Sequence, residues 1–397
     1  MKYDIIVFEN YRQAKHHKID VRLIAKLLKA DGLSVAILDI YHEDRYDELD
    51  DIPVLHHHVI LPKILSANFS PNPMKRFIEH LYYYRAQDIY FTAVLDEVRE
   101  WADRFYCGSY HLGMSASWFS LKKPCFWWGL RSNRFKIPNP LRNENRYTFF
   151  RAPFLRNKFL RNPYQFLFVS NNIIKKEFLS LGLPEERLII REERVVEEDM
   201  LKHRNPTDVV SFLTIGQLRP QKRVDLSIKA FKRVCDNSQL YYVIGKANED
   251  YEKIIQSNIN GYPCIVRNNC FLEYEEFLEY YSKSHFVIFA DMQTTGTITN
   301  GTMLEALIHY CPIIAPCYNP YAYYIDKYKI GIKYNPDVDG DLEKAMMTAI
   351  HLGCKSFEKP IKDFLSTISF ESVSRDLSHK VMMVFKFRKL IKYNVTT

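Results

Sequence analysis

Apolar positions in the first forty residues switch from a continuous run to a 3.6-residue spacing and back. Tyr3–Phe8 reads as a buried strand, a polar loop runs through Lys18, Ile19–Ala30 reads as a helix, and Leu33–Ile40, after Gly32, reads as a second strand. Strands of a parallel sheet are covered on both faces by crossover helices and so carry apolar residues at successive positions, which is the pattern here. Further strands are predicted over Val54–Leu61, Phe105–Ser109, Cys125–Trp128 and Gln165–Val169. Between them lie a proline-rich loop, a long helical region over Pro73–Trp101 and a short helix around Met114–Leu121. The last strand leads into a helix that stops at Gly182, where glycine suits a left-handed cap.

The pattern restarts after a polar, proline-containing stretch, KHRNPTD. Strands are predicted at Val209–Ile215, Gln239–Ile244, Cys264–Val266, His285–Ala290 and Pro312–Ala315. The helices between them are Asp225–Cys235, Tyr251–Ser257, Tyr274–Ser282 and Thr302–His309, and an amphipathic helix with a basic end begins at Phe370. A chain of 397 residues exceeds what one core usually supports. The expected architecture is therefore α/β, with two Rossmann-like, doubly wound domains. The first spans 1–201, a linker 202–208, the second 209–369, and a terminal helix, 370–397, crosses back to the first domain.

Apolar residues make up 47% and charged residues 26%, which excludes long disorder and fibrous repeats. The eight cysteines form neither a CxxC pair nor a Cys/His metal spacing and read as reduced thiols. The opening apolar run is too short for a signal-peptide core, and no 18 apolar residues run together, so a cytoplasmic location is expected. Consecutive strand residues point to opposite faces, so His56, His57 and His58 cannot converge on one metal ion. A net charge of +8 favours anionic partners: nucleotide phosphates, nucleic acid or phospholipid. The basic residues form no recognised nucleic-acid arm or motif, so no nucleic-acid partner is expected.

Two stretches carry candidate chemistry. In LTIGQLRPQKRVDLSIKAF, Leu213–Phe231, a strand ends at Gly216, a basic loop follows, and a helix begins near Asp225, a candidate cap. Ligands of open α/β sheets bind at the carboxyl ends of strands, so Arg219 and Lys222 stand where a phosphate could be caught, or the loop is simply solvated. In MQTTGTITNGTMLEALIHYCPIIAP, Met292–Pro316, a loop containing Thr297, Asn300, Gly301 and Thr302 runs into a helix with Glu305 in its first turn. Amides and hydroxyls at a helix start suit an anion, and a carboxylate there can accept hydrogen bonds from a ribose or serve as a dipole partner.

Together these stretches resemble the C-terminal half of family 4 retaining glycosyltransferases of the GT-B fold, in which two Rossmann-like domains face each other across a cleft. Gly216, Leu218 and Lys222 match the family's strand-Gly-Arg-Leu-x-x-x-Lys segment, which supplies basic groups to the donor diphosphate. Gln217 occupies the arginine position, with Arg219 two residues on. LEALIHYCPIIAP, Leu304–Pro316, matches the second half of the family's paired-glutamate signature, with Glu305 as the glutamate that contacts the donor ribose. The first glutamate is replaced by Thr297. FLFVSNNIIKKEFLSLGLPEERLII, Phe166–Ile190, is similar to the segment that closes the family's first domain.

The resemblance implies transfer of a sugar, with retention, from a UDP- or GDP-sugar substrate to a glycan or lipid-linked acceptor in polysaccharide biosynthesis, without a cofactor or metal. Arg219, Lys222 and Glu305 would serve the reaction, and Gly216, Gln217, Thr297, Asn300, Gly301 and Thr302 would hold the donor. Arg12, His16 and His111 are acceptor-side candidates on the first domain. The departures at Gln217 and Thr297 leave open a non-catalytic binding subunit of the same fold. Between Pro73 and Tyr90, Lys75, Arg76 and Arg85 alternate with Phe77, Leu81 and Tyr82–Tyr84. This helix would either pack on its own domain or lie on the anionic inner face of a membrane, as a peripheral contact.

Overall fold

Where buried apolar runs alternate with amphipathic helices, the chain forms two sheets in which, among the described residues, every strand pairing is parallel. The computed structural model describes all residues except 1, 9–14, 42–50, 67–69, 108–116, 129–147, 192–194, 198–200, 202–207, 237, 293–300 and 395–397. The chain divides into two compact units, Met1–Glu193 with Val373–Thr397, and Arg194–Ser372. All but Asp208 of the expected linker 202–208 lies outside the described residues.

The first unit runs β1 (Tyr3–Phe8), α1 (Lys15–Ala30), β2 (Val35–Leu38), β3 (Val54–Leu55), α2 (Pro73–Val98), β4 (Ala102–Cys107), β5 (Cys125–Trp128), α3 (Thr148–Arg161), β6 (Gln165–Val169), α4 (Asn172–Ser180) and β7 (Leu188–Ile190). Its sheet order is β3-β2-β1-β4-β5-β6-β7. Phe8, Phe105, Trp118, Trp127 and Leu167 are buried between sheet and helices.

Three of the expected elements take a different form. Helix α1 begins at Lys15, so His16 stands on a helix rather than in a loop. Strand β3 covers two residues instead of eight, because His57 turns inward: its Nδ1 accepts the Val59 amide at 3.2 Å, which leaves Nε2–H to donate to the Ile40 carbonyl at 3.1 Å. Of the helix expected over Met114–Leu121, residues 114–116 lie outside the described residues and Trp118–Ser120 form a single 3₁₀ turn.

The second unit runs β8 (Ser211–Ile215), α5 (Val224–Val234), β9 (Leu240–Ile244), α6 (Glu249–Ile259), β10 (Ile265–Asn268), α7 (Tyr274–Lys283), β11 (Phe286–Ile288), α8 (Gly301–Ile308), β12 (Ile313–Pro316), α9 (Tyr321–Tyr328), β13 (Gly331–Tyr334), α10 (Asp341–Leu352) and α11 (Glu358–Thr367). Its order, β10-β9-β8-β11-β12-β13, reverses direction between β8 and β11. Loops leaving the carboxyl ends of two such strands diverge to opposite faces and open a crevice there. Helix α12 (Phe370–Asn394) starts in this unit, where the Phe370 amide donates to Val196, and belongs to the first unit from Val373 onward. There the Ser374 hydroxyl donates to the Leu27 carbonyl at 2.6 Å and Lys380 Nζ to the Ile190 carbonyl at 2.7 Å.

Candidate functional site

The switch point of the second sheet is built around Gly216, which follows β8 with φ of +105°. A Cβ added there would stand 3.4 Å from Lys222 Nζ and 3.8 Å from Thr302 Oγ1, so this position is where the β8 strand end, the lysine and the start of α8 meet. Gly245, after β9, has φ of +125°, and its Cβ would fall 1.9 Å from the Gly216 carbonyl. Only glycine allows both this conformation and this approach of two strand ends.

From Gly216 the chain makes one short excursion before α5. Leu218 is buried, and its amide donates to the Lys246 carbonyl at 2.9 Å. Gln217 and Arg219 are exposed side by side, with Arg219 Nη2 donating to Gln217 Oε1 at 2.6 Å. Pro220–Lys222 form a 3₁₀ turn that sends Lys222 Nζ back to the Ile215 carbonyl, 3.2 Å away at the end of β8. Burial of this ammonium holds its pKa below the ordinary lysine value, opposed by Asp291 and reinforced by Arg219.

Arg223 then takes a left-handed conformation and caps α5 through its backbone position alone. The first helical amide, Val224, is met by the Tyr251 hydroxyl at 2.8 Å, and that hydroxyl lies 3.4 Å from Asp225 Oδ1. Asp225 therefore sits inside the first turn, where a carboxylate favours the helix dipole, and is not the N-cap that the sequence suggested. Burial pushes the Tyr251 hydroxyl up to about 12.

On the other side of the switch point, the Met292 amide donates to the Gln221 carbonyl at 2.7 Å and ties the exit of β11 to the lysine turn. Asp291 accepts a hydrogen bond from the buried Tyr321 hydroxyl of α9. Gly301 opens α8, exposed, and Thr302 follows it, with its carbonyl accepting from Tyr281 at 3.3 Å. Glu305 is buried one turn on. Its Oε1 lies 4.0 Å from His309 Nε2, and the His309 ring stacks on Tyr281 at 5.4 Å and 7°.

The structure thus brings Gly216, Lys222 and Thr302 together, sets the Gln217–Arg219 pair on the same loop, and places Gly301 and Glu305 on the adjoining helix. Thr297, Asn300, Arg12 and His111 lie outside the described residues, and His16 is described only as backbone on α1. Sequence reasoning did not single out Gly245, Asp291 and Tyr321. Gly245 had a signal, because β8 and β9, which pair side by side in parallel, both end in Ile-Gly. A 420 Å³ pocket opens beside the site, lined by residues 217–221 and 246–248. Among the described residues, no group of three His, Cys, Asp or Glu could hold a metal ion, and no helix is long and apolar enough to cross a membrane.

Residues 195–362, which contain this whole site, match the family described as "Glycosyl transferases group 1". No curated protein sequence matches the chain. Among solved structures, a glycosyltransferase from Rickettsia africae aligns over 97% of this chain and 99% of its own at 13% identity, with a TM-score of 0.68. HepE of Anabaena in complex with UDP aligns over 99% of both chains at 12% identity, TM-score 0.57. WaaG, a glycosyltransferase involved in lipopolysaccharide biosynthesis, aligns over 95% and 99% at 14% identity, TM-score 0.59. The fold is that of the GT-B glycosyltransferases, an α/β arrangement of two Rossmann-like domains.

Proposed function

We propose that the chain transfers a sugar from a nucleoside diphosphate sugar to a hydroxyl of a glycan or lipid-linked acceptor, with retention at the anomeric carbon. The observation that carries this reading is the half-buried Lys222 ammonium at the carboxyl end of β8, 3.4 Å from where a Gly216 Cβ would stand and facing the start of α8. In the reaction, the bond between the anomeric carbon and the phosphate oxygen breaks and the nucleoside diphosphate leaves with the bonding pair. The acceptor oxygen forms the new bond, and its proton passes to the departing phosphate oxygen. Charge developing on the leaving diphosphate is met by Lys222, by Arg219 and by the amides at the start of α8, cations and dipoles already in place before the bond breaks.

The Arg219 guanidinium donates to the Gln217 side chain, so the loop carries an arginine despite the altered order. Glu305 would take the donor ribose hydroxyls, with Thr302 and Gly301, together with Thr297 and Asn300, around the sugar and phosphates. Arg12, His16 and His111 remain the acceptor-side candidates. UDP is the first donor base to test, because the HepE structures carry UDP and UDP-glucose. A lipid-linked acceptor in the cytoplasm, at the inner membrane face, fits the involvement of WaaG in lipopolysaccharide biosynthesis.

A non-catalytic nucleotide-binding subunit is the second reading, favoured by Thr297 at the position of a glutamate. The two separate on turnover. With each sugar nucleotide whose base binds, release of free nucleoside diphosphate is expected from the wild type and is expected to fall on the order of 100-fold in Lys222→Ala. Binding without any release in the wild type, with glycan and lipid acceptors supplied, selects the second reading.

A further inference from the structure

Two thiols of the second unit meet at the edge of its sheet remote from Gly216. Helix α5 runs from the Lys222 turn back toward the amino ends of the strands, and Cys235 closes it, with its amide donating to the Phe231 carbonyl at 2.8 Å. Cys264 stands just before β10, and its carbonyl accepts the Tyr241 amide of β9 at 2.9 Å. One backbone is thus pinned to a helix end and the other to a neighbouring strand. Across this gap the thiol of the half-buried Cys235 donates to the sulfur of the buried Cys264 at 3.4 Å. Cys311, by contrast, turns its thiol onto the Tyr281 and Ser284 carbonyls, and Cys317 is exposed.

A disulfide holds its sulfurs ~2.05 Å apart, so the pair closes when small rotations of two short side chains bring them nearer by about 1.4 Å. The two thiols differ in access. Burial, reinforced by Cys235, pushes the Cys264 thiol up to about 11, which keeps it protonated at neutral pH. Cys235 is the one that a small oxidant reaches first.

We infer that Cys235 and Cys264 form an oxidation site, which a hydroperoxide converts reversibly into a disulfide. In the first step Cys235, as thiolate, attacks one oxygen of the peroxide. The O–O bond breaks, Cys235 becomes a sulfenic acid, and the other oxygen leaves with the proton as water or an alcohol. In the second step the Cys264 sulfur attacks the Cys235 sulfur. The S–O bond breaks, and the hydroxyl departs as water with the Cys264 proton. The two thiols together lose two electrons and the peroxide gains them, and an excess of a small thiol returns the pair to its reduced form. The bond ties β10, which stands at the edge of its sheet beside β9, to α5. It closes a loop of about 30 residues, and such a closure restricts the unfolded chain more than the folded one. The inference goes beyond the proposed sugar transfer and does not depend on it.

The test treats the reduced full chain with a small excess of hydrogen peroxide. Alkylation then reads the remaining thiols, and peptide mapping without reductant reads the linkage. A peptide pair joined through Cys235 and Cys264 is expected, and dithiothreitol should separate it. Melting temperature should rise by roughly 5 °C or more on oxidation and fall back on reduction. Cys264→Ser should stop at the Cys235 sulfenic acid, captured by a dimedone probe, and Cys235→Ser should leave Cys264 open to alkylation after unfolding. Neither variant should gain melting temperature from peroxide. The wild-type map alone overturns the inference if both thiols stay free, if either links to another cysteine such as Cys317, or if Cys235 passes to the sulfinic acid with Cys264 unlinked. A melting gain that persists in Cys235→Ser overturns it as well.

Discussion

Lys222 ionises less readily than an ordinary lysine because burial disfavours its charged form, and the balance around it sets a pH dependence. Only the protonated amine attracts a diphosphate, so nucleoside diphosphate binding should weaken as pH rises through a value below the usual lysine range. Near that value, binding should draw a proton onto Lys222. Calorimetry in buffers of different ionisation enthalpy reads this uptake directly. Asp291 is the group that favours the charged form, so Asp291→Asn should move the alkaline loss of binding to lower pH. If the loss stays where it is in wild type, Lys222 is not the group that meets the diphosphate. Lys222 and Gly216 were readable from the strand-Gly-basic loop order, whereas Asp291 and Tyr321 were not. Thirty residues separate the members of that hydrogen bond, and no local pattern marks either one.

Among the elements, what the sequence made legible follows burial. The central strands β1, β5, β6, β8, β9 and β12 are buried along nearly their whole length, present unbroken apolar runs, and lie within two residues of their expected limits. The outer strands are short and half-covered: β3 was expected four times longer than it is, and β7 and β13 were not expected at all. An edge strand has neighbours on one side only, so its side chains need not form an apolar run. The close approach of the β8 and β9 ends left only the Ile-Gly that closes each strand as a trace, since the contact of Gly245 with the Gly216 carbonyl joins two segments whose patterns are each complete alone. Gly245→Ala meets both a positive φ and backbone at 1.9 Å, so the strand ends must part. A loss of about 3 kcal/mol or more is expected, together with loss of nucleotide binding, as read by thermal melting and titration. Unchanged melting would mean that the two strand ends are not in contact.

At the scale of the whole molecule, the two parallel sheets and their reversal points follow from the alternation of strand and helix, and the chain is closed by α12. From Val373 onward this helix belongs to the first unit, with Leu377 and Val381 fully buried. Leu377→Asp places a carboxylate in that apolar contact and is expected to cost about 3 kcal/mol or more of stability, seen as a lowered melting temperature. Nucleoside diphosphate affinity, which the proposed function assigns to the second unit, should be retained at temperatures where the protein stays folded. Loss of affinity under those conditions would mean that the site depends on the far end of the chain.

The proposal rests above all on the β8–α8 switch point being a nucleoside diphosphate site that works in sugar transfer. Calorimetric titration of the full chain with UDP, GDP and ADP, wild type beside Lys222→Ala, tests this without intermediate steps. Saturable binding of at least one of the three by the wild type is predicted, with affinity lowered at least about tenfold in Lys222→Ala. No binding of any of the three, or binding that Lys222→Ala leaves intact, would contradict it.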